Sequence, residues 1–124
     1  MPAQELTLDI PRSLWMTSNQ RLHHMDRARR TKQIRTLAGW QARTKLRPVA
    51  GKVHVVVYVS SPTRRRADVG NSYPTLKACL DGITDAGTWR DDSDEYLEGP
   101  DMRRGEPTGT PGLYRLHIVI TPTT

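Results

Sequence analysis

Apolar and polar positions first alternate at Leu6, Leu8 and Ile10, which are separated by Thr7 and Asp9 and followed by Pro11. A period of two puts successive side chains on opposite faces of an extended chain, so this run predicts a short strand with one buried face. From Ser18 or Asn19, either of which can cap a helix, to about Thr44 the chain lacks proline and carries Leu22, Met25, Ile34, Leu37 and Trp40 at loosely helical intervals. A long helix is predicted there, with Gly39 as its weak point. Leu46 to Gly51 reads as a connection. Val53, Val55, Val57 and Val59 then alternate with His54, Val56 and Tyr58, giving a strand apolar on both faces and therefore central in its sheet. Leu76, Leu80 and Ile83 set a second helix from Thr75 to about Ala86, closed by Gly87, a residue that tolerates positive φ. Lys77, Asp81 and Asp85 line another face of that helix. A short strand near Tyr96, a Gly/Pro-rich loop from Gly105 to Gly112 and a strand from Leu113 to Ile120 complete the chain.

These elements predict one α+β domain over residues 1–124, a small mixed sheet with two main helices packed on it. A chain of 124 residues can bury one modest core. Phenylalanine is absent and the hydrophobic fraction is 35%, lean enough that a homodimer, in which a second copy completes the apolar surface, is expected. The single cysteine, Cys79, excludes an intramolecular disulfide, and the N-terminus lacks the basic and apolar runs of a signal sequence. A soluble, cytoplasmic protein with no membrane association is the expectation.

The net charge of +6 is unevenly spread: residues 1–62 hold 11 Lys/Arg against 3 Asp/Glu, and residues 63–124 hold 8 against 10. A basic face attracts polyanions through counterion release. Arg27, Arg29, Arg30, Lys32 and Arg35 on the first helix, with the run Arg64, Arg65 and Arg66 after the central strand, are the candidate nucleic-acid contacts. The plain alternative is a solvated, Arg-rich surface.

Carboxylates in such a protein repel phosphate unless a cation lies between them. Mg²⁺ binds through one or two carboxylates, keeps several waters and uses its other positions for phosphate oxygens. Asp68 follows the central strand, a rigid place for a ligand, and Asp91 and Asp92 follow the helix that packs on the same sheet. Asp68, Asp91 and Asp92 are therefore the candidate metal ligands. Lys77 is the candidate cation for the charge on a phosphoryl group undergoing attack. Each has a plainer role available: Asp68 and Asn71 as turn and cap residues, Asp91 and Asp92 as a solvated turn, Lys77 and Asp81 as an i,i+4 ion pair. Adjacent His23 and His24 diverge on a helix and make a poor chelate. Cys79 reads as core, and Trp15, Trp40 and Trp89 as packing residues, one of which can also stack on an unpaired base.

The segment Arg64-Arg65-Arg66-Ala67-Asp68-Val69-Gly70-Asn71, then Lys77 and Asp81, then Asp85-Ala86-Gly87-Thr88-Trp89-Arg90-Asp91-Asp92 resembles the signature of the RusA family of Holliday-junction resolvases. That signature is a basic run, D-x-D-N, a lysine and an aspartate four apart on a helix, and A-G-x-W-x-D-D. Ser18-Asn19-Gln20-Arg21 matches the family's Ser-Asn-x-Arg segment near the opening strand. The resemblance touches most of the chain and is specific over about a quarter of it. It implies an α+β homodimer, often carried by phages and prophages, that nicks four-way DNA junctions in symmetric pairs using Mg²⁺ or Mn²⁺ in the bacterial or phage-infected cytoplasm. It also implies catalytic roles for Asp68, Lys77 and Asp92, with Asn71 and Asp81 in support and Asp91 beside the last acid. Two positions depart from the pattern: Gly70 stands where the family has its second aspartate, and the stretch from Asn71 to Lys77 is longer than usual. Asp91 or Asp81 can supply the missing carboxylate. The alternatives to a junction resolvase are a branched-DNA-binding protein without catalysis and a less selective nuclease for branched nucleic acids.

Overall fold

The computed structural model describes residues 2–64 and 68–123. It contains strand β1 (Gln4–Pro11), helix α1 (His24–Lys45), strand β2 (Val53–Ser60), a 3₁₀ turn (Val69–Ser72), helix α2 (Tyr73–Asp85), strand β3 (Leu97–Arg104) and strand β4 (Leu113–Pro122). The strands form one mixed sheet in the order β1-β4-β2-β3, with β2 and β3 parallel and the other two pairings antiparallel. This is the expected α+β architecture, and β2 lies inside the sheet as predicted, with one face buried and the other, carrying His54, Val56 and Tyr58, only partly covered.

One face of the sheet carries Leu6, Leu8 and Ile10 of β1, Val53, Val55, Val57 and Val59 of β2 and Leu116, Ile118 and Ile120 of β4, all buried in a single cluster with residues of both helices. The intervening residues form the opposite face, which is charged and of mixed sign. Arg115 Nε donates to Asp9 Oδ1 at 2.6 Å, His117 Nε2 lies 3.0 Å from Glu5 Oε1, and His54 Nε2 lies 2.7 Å from Asp101 Oδ2. Tyr58 stacks on His117 between them, with ring centroids 5.7 Å apart.

The two helices cross at Gly39 and Gly82. A Cβ at Gly82 would overlap the carbonyl oxygen of Arg35 and stand 2.9 Å from Gly39 N, and a Cβ at Gly39 would stand 3.2 Å from Gly82 O. Gly39 therefore does not break α1, which runs unbroken through it; it is the surface on which α2 rests, at some cost in helix propensity. Ala38, Ala42 and Ala78, all buried, keep the seam narrow.

Helix α1 begins later than its sequence predicts. Its N-cap is His23, whose Nδ1 accepts from Met25 N at 3.2 Å, and residues 12–23 form an irregular segment instead of the first turns of the helix. Competition for backbone groups explains the difference. Met16 N donates to Thr75 Oγ1 and Thr75 Oγ1 donates to Met16 O, each at 2.8 Å, while Ser18 N donates to Asn71 O at 2.8 Å. Because α2 and the 3₁₀ turn satisfy these groups, Ser18 and Asn19 do not serve as caps. The rings of His23 and His24 do not diverge; they pack 4.4 Å apart at the mouth of the helix. The strand expected near Tyr96 begins at Leu97 and is a full 8 residues.

Candidate active site

Helix α2 starts at Tyr73 with Pro74 in its first turn, where a missing N–H costs nothing. Thr75, Leu76, Cys79 and Ile83 face the core, which leaves Lys77 and Asp81 on the exposed flank, one turn apart. Lys77 Nζ donates to Asp81 Oδ1 at 2.6 Å.

The segment after α2 reverses direction. Gly87 adopts φ +81°, the left-handed conformation that ends the helix, and its N–H donates to Thr84 O at 2.9 Å. Trp89 then enters the core with 1% of its surface exposed, and its indole N–H donates to Thr84 Oγ1 at 2.7 Å. Val49 N binds Thr88 O at 2.7 Å. A buried tryptophan anchored at the foot of the helix turns the next residues back along the flank of α2. Asp92 Oδ2 consequently accepts a hydrogen bond from Lys77 Nζ at 3.1 Å, across 15 residues of chain. Asp91 Oδ1 accepts from Asp92 N at 2.7 Å, fixing the pair of acids relative to each other.

The electrostatics follow from that contact. Hydrogen bonding and charge from Lys77 hold the Asp92 carboxyl below its ordinary value, and Asp81, then Asp92, raise the Lys77 ammonium above its own. At neutral pH both groups are ionised. Arg35 of α1 extends the row of charges by a two-pronged bond to Asp85, at 2.6 and 2.8 Å, which lowers the Asp85 carboxyl.

Asp68 and Asn71 take no part in these contacts. Asp68 caps the 3₁₀ turn, its Oδ1 accepting from Gly70 N at 2.9 Å. Both residues line a cleft of about 480 Å³ with Arg12, Trp15, Asn19 and Tyr114 on its walls; Lys77, Asp81 and Asp92 do not line it. Trp15 and Tyr114 stack at 4.4 Å with ring planes 12° apart. The contact of Ser18 with Asn71 brings together two of the sequence segments singled out above, 53 residues apart. Among the described residues, no three His, Cys, Asp or Glu side chains converge on a common point as metal ligands. Lys77, Asp81, Asp91 and Asp92 thus form one group, and Asp68 with Asn71 another. Gly70 adds no carboxylate to the second, and a Cβ there would stand 3.3 Å from Asp68 Oδ1.

The candidate nucleic-acid contacts divide as well. Arg27 donates to Gln20 O at 3.2 Å and Arg30 to Trp15 O at 3.0 Å, so both tie the irregular segment to α1. Arg29 is paired with Asp26 at 2.6 Å and Arg35 with Asp85, while Lys32 is exposed. Arg64 is exposed with Glu106 3.5 Å away; Arg65 and Arg66 fall outside the described residues. Of the cleft walls, Arg12 belongs to no periodic run, and Tyr114, although it lies in the strand predicted from Leu113 to Ile120, carries nothing in the sequence that marks it as a cleft residue. Thr75 and Thr84 are likewise legible only through their partners. Cys79 is buried and burial pushes its thiol up, as expected of a core position. In comparisons with known proteins, no family model and no curated protein matches this sequence.

Proposed function

We propose that the chain is a divalent-metal-dependent DNA endonuclease that acts as a homodimer on branched DNA, with the four-way junction as substrate. The observation that carries this reading is the return of Asp92 to Lys77, which sets an ionised acid and a partly exposed ammonium side by side on the flank of α2, with Asp81 one turn along. The meeting of Ser18 with Asn71 beside Asp68 supports it further, since these are the segments that resemble the RusA signature.

Phosphodiester hydrolysis adds a water oxygen to phosphorus and expels an ester oxygen, so negative charge grows on the phosphoryl and leaving oxygens. Lys77 is suited to neutralise that charge, and Asp81 holds its ammonium in place from one turn along α2. The donor set of exposed carboxylates fits Mg²⁺, which takes one or two such ligands and keeps its waters. Asp92, with Asp91 or with an Asp68 brought to it by a second copy, would hold the ion. When bound, such an ion supplies a water of lowered pKa and a positive charge for the phosphate. Asp92 itself stays ionised under the influence of Lys77 and so remains available as a ligand. The proposed reaction belongs in the cytoplasm, with the DNA.

The test is incubation of the protein with a labelled four-way junction, a flap and a linear duplex in Mg²⁺, Mn²⁺ or EDTA, alongside Asp92→Asn. Metal-dependent paired nicks in the junction alone, lost in Asp92→Asn with binding retained, are expected. Gly70, which leaves Asp68 without a second carboxylate beside it, favours the non-catalytic alternative, which predicts junction binding without product under any metal. Similar cutting of junction and flap would instead establish the less selective nuclease.

A further inference from the structure

Trp40 occupies the middle of the solvent face of α1. The helix buries Ile34, Ala38 and Ala42, and a rotation of about 100° per residue puts Trp40 on the side away from them, with Lys32, Gln33, Thr36 and Arg43 and, toward the start of the helix, Arg29 paired with Asp26, within about 80° of it. Its residue surface is 64% exposed, whereas Trp15 and Trp89 are 6% and 1% exposed. Of the two roles the sequence offers these tryptophans, packing fails for Trp40 and stacking on an unpaired base stays open to it. A single exposed apolar side chain needs no explanation on an ordinary surface, but this one is the largest available and lies in a helix with seven Lys/Arg and one Asp.

The charge identifies what covers it. Two copies of α1 laid face to face would bring like charges together, while a polyanion is attracted. A duplex presents its phosphates and base edges, its base faces being covered by neighbouring pairs; an unpaired base leaves a face open. An exposed indole among cations matches that second surface, with stacking on the ring and phosphates on the flanking arginine and lysine. We infer that Trp40 is a stacking site for an unpaired DNA base, with Lys32 and Arg43 as contacts for the adjoining phosphates. The inference rests on the proposed action on branched DNA and adds to it recognition of the unpaired nucleotide that a branch exposes.

The experiment compares the protein with its Trp40→Ala and Trp40→Phe variants in EDTA at one fixed salt concentration, titrating each against fluorescein-labelled oligothymidylate and against a blunt duplex. Trp40→Ala is expected to lose about tenfold in affinity for the single strand and less than twofold for the duplex, with Trp40→Phe regaining most of the loss. Tryptophan emission of the unaltered protein should be quenched by the single strand, and that of Trp40→Phe much less. Equal losses on both DNAs, an unchanged single-strand affinity, or an altered oligomeric mass in Trp40→Ala would each overturn the stacking site, the last because it marks a protein contact. Junction cleavage in Mg²⁺ is read separately. Trp40-dependent single-strand binding without cleavage keeps the stacking site and ends the nuclease reading; cleavage with unaltered single-strand binding in Trp40→Ala does the reverse.

Discussion

Lys77 Nζ bridges Asp81 Oδ1 at 2.6 Å and Asp92 Oδ2 at 3.1 Å, so one ammonium joins an acid on its own helix to an acid from the segment beyond it. The first bond is local to the helix. The second requires the chain to turn at Gly87 and Trp89, and it makes Lys77 the point at which α2 and the 90–92 segment are held in register.

Replacing Lys77 by Met should separate stability from activity. The side chains of Lys77 and Asp92 are 45% and 46% exposed, so solvent screens their attraction and the loss of stability should stay within about 1 kcal/mol. Under the proposed nuclease reading, junction cleavage should fall by about 10²-fold or more, as it does when a group that stabilises a developing oxyanion is removed. Thermal unfolding and single-turnover cleavage measure the two effects. Equal falls in binding and cleavage would show that Lys77 only attracts DNA.

The shifts in that pair predict a pH window. Asp92 has a folded-state pKa below its ordinary 3.8, so its contribution to stability is present above that value and is lost as pH falls through the folded one. Lys77 is raised above its ordinary 10.5, so its contribution is present below 10.5 and is lost as pH rises through the folded value. The pair should therefore be intact throughout the neutral range. Carbon-detected NMR titration of the Asp92 carboxyl should give a midpoint below 3.8 that moves up in Lys77→Met.

Gly82→Ala should destabilise the domain more than Gly39→Ala. The added methyl at Gly82 meets the Arg35 carbonyl and Gly39 N, both backbone, whereas the methyl at Gly39 has 3.2 Å to Gly82 O and needs only a small adjustment. A loss of about 1–3 kcal/mol is expected at Gly82 from this overpacking. For Gly39 the gain in helix propensity offsets part of the strain. Urea unfolding of the two variants decides the order.

Gly70→Asp should raise Mn²⁺ affinity several-fold, measured by calorimetry with and without Asp68→Asn. The new side chain enters beside Asp68, whose carboxylate must move by a few tenths of an ångström to admit it. Two carboxylates on one short turn repel each other until a cation joins them, which is the condition a metal site exploits. Unchanged Mn²⁺ affinity would argue that Asp68 is a cap residue alone.

Much of this architecture is written in short-range patterns. The valines of β2, the alternation at Leu6, Leu8 and Ile10 and the helical spacing of Leu76, Leu80 and Ile83 report burial directly, because a period of two or of 3.6 residues is what one covered face leaves behind. Asp81 beside Lys77 is legible for the same reason. The start of α1 is not, since it depends on Thr75 and Asn71 taking the backbone bonds of Met16 and Ser18 from more than 50 residues away. From helix length alone, Lys77 and Asp92 meet only if the chain folds back or a partner chain supplies one of them; Trp89 makes it fold back. The cleft around Asp68 was half legible: its acid and Asn71 stand in a recognisable motif, but Arg12 and Tyr114 reach it through strand pairing, Ile10 opposite Tyr114, that no local pattern encodes.

Strand β3, at one border of the sheet, has a further consequence. Pro100 removes one donor from the strand, and Glu98, Asp101, Arg103 and Arg104 crowd the same short stretch with charges of both signs. A foreign strand seeking to extend the ladder there meets a proline and a fence of charged side chains. The chain thus guards itself against runaway fibre growth at the border where its hydrogen bonding would otherwise continue.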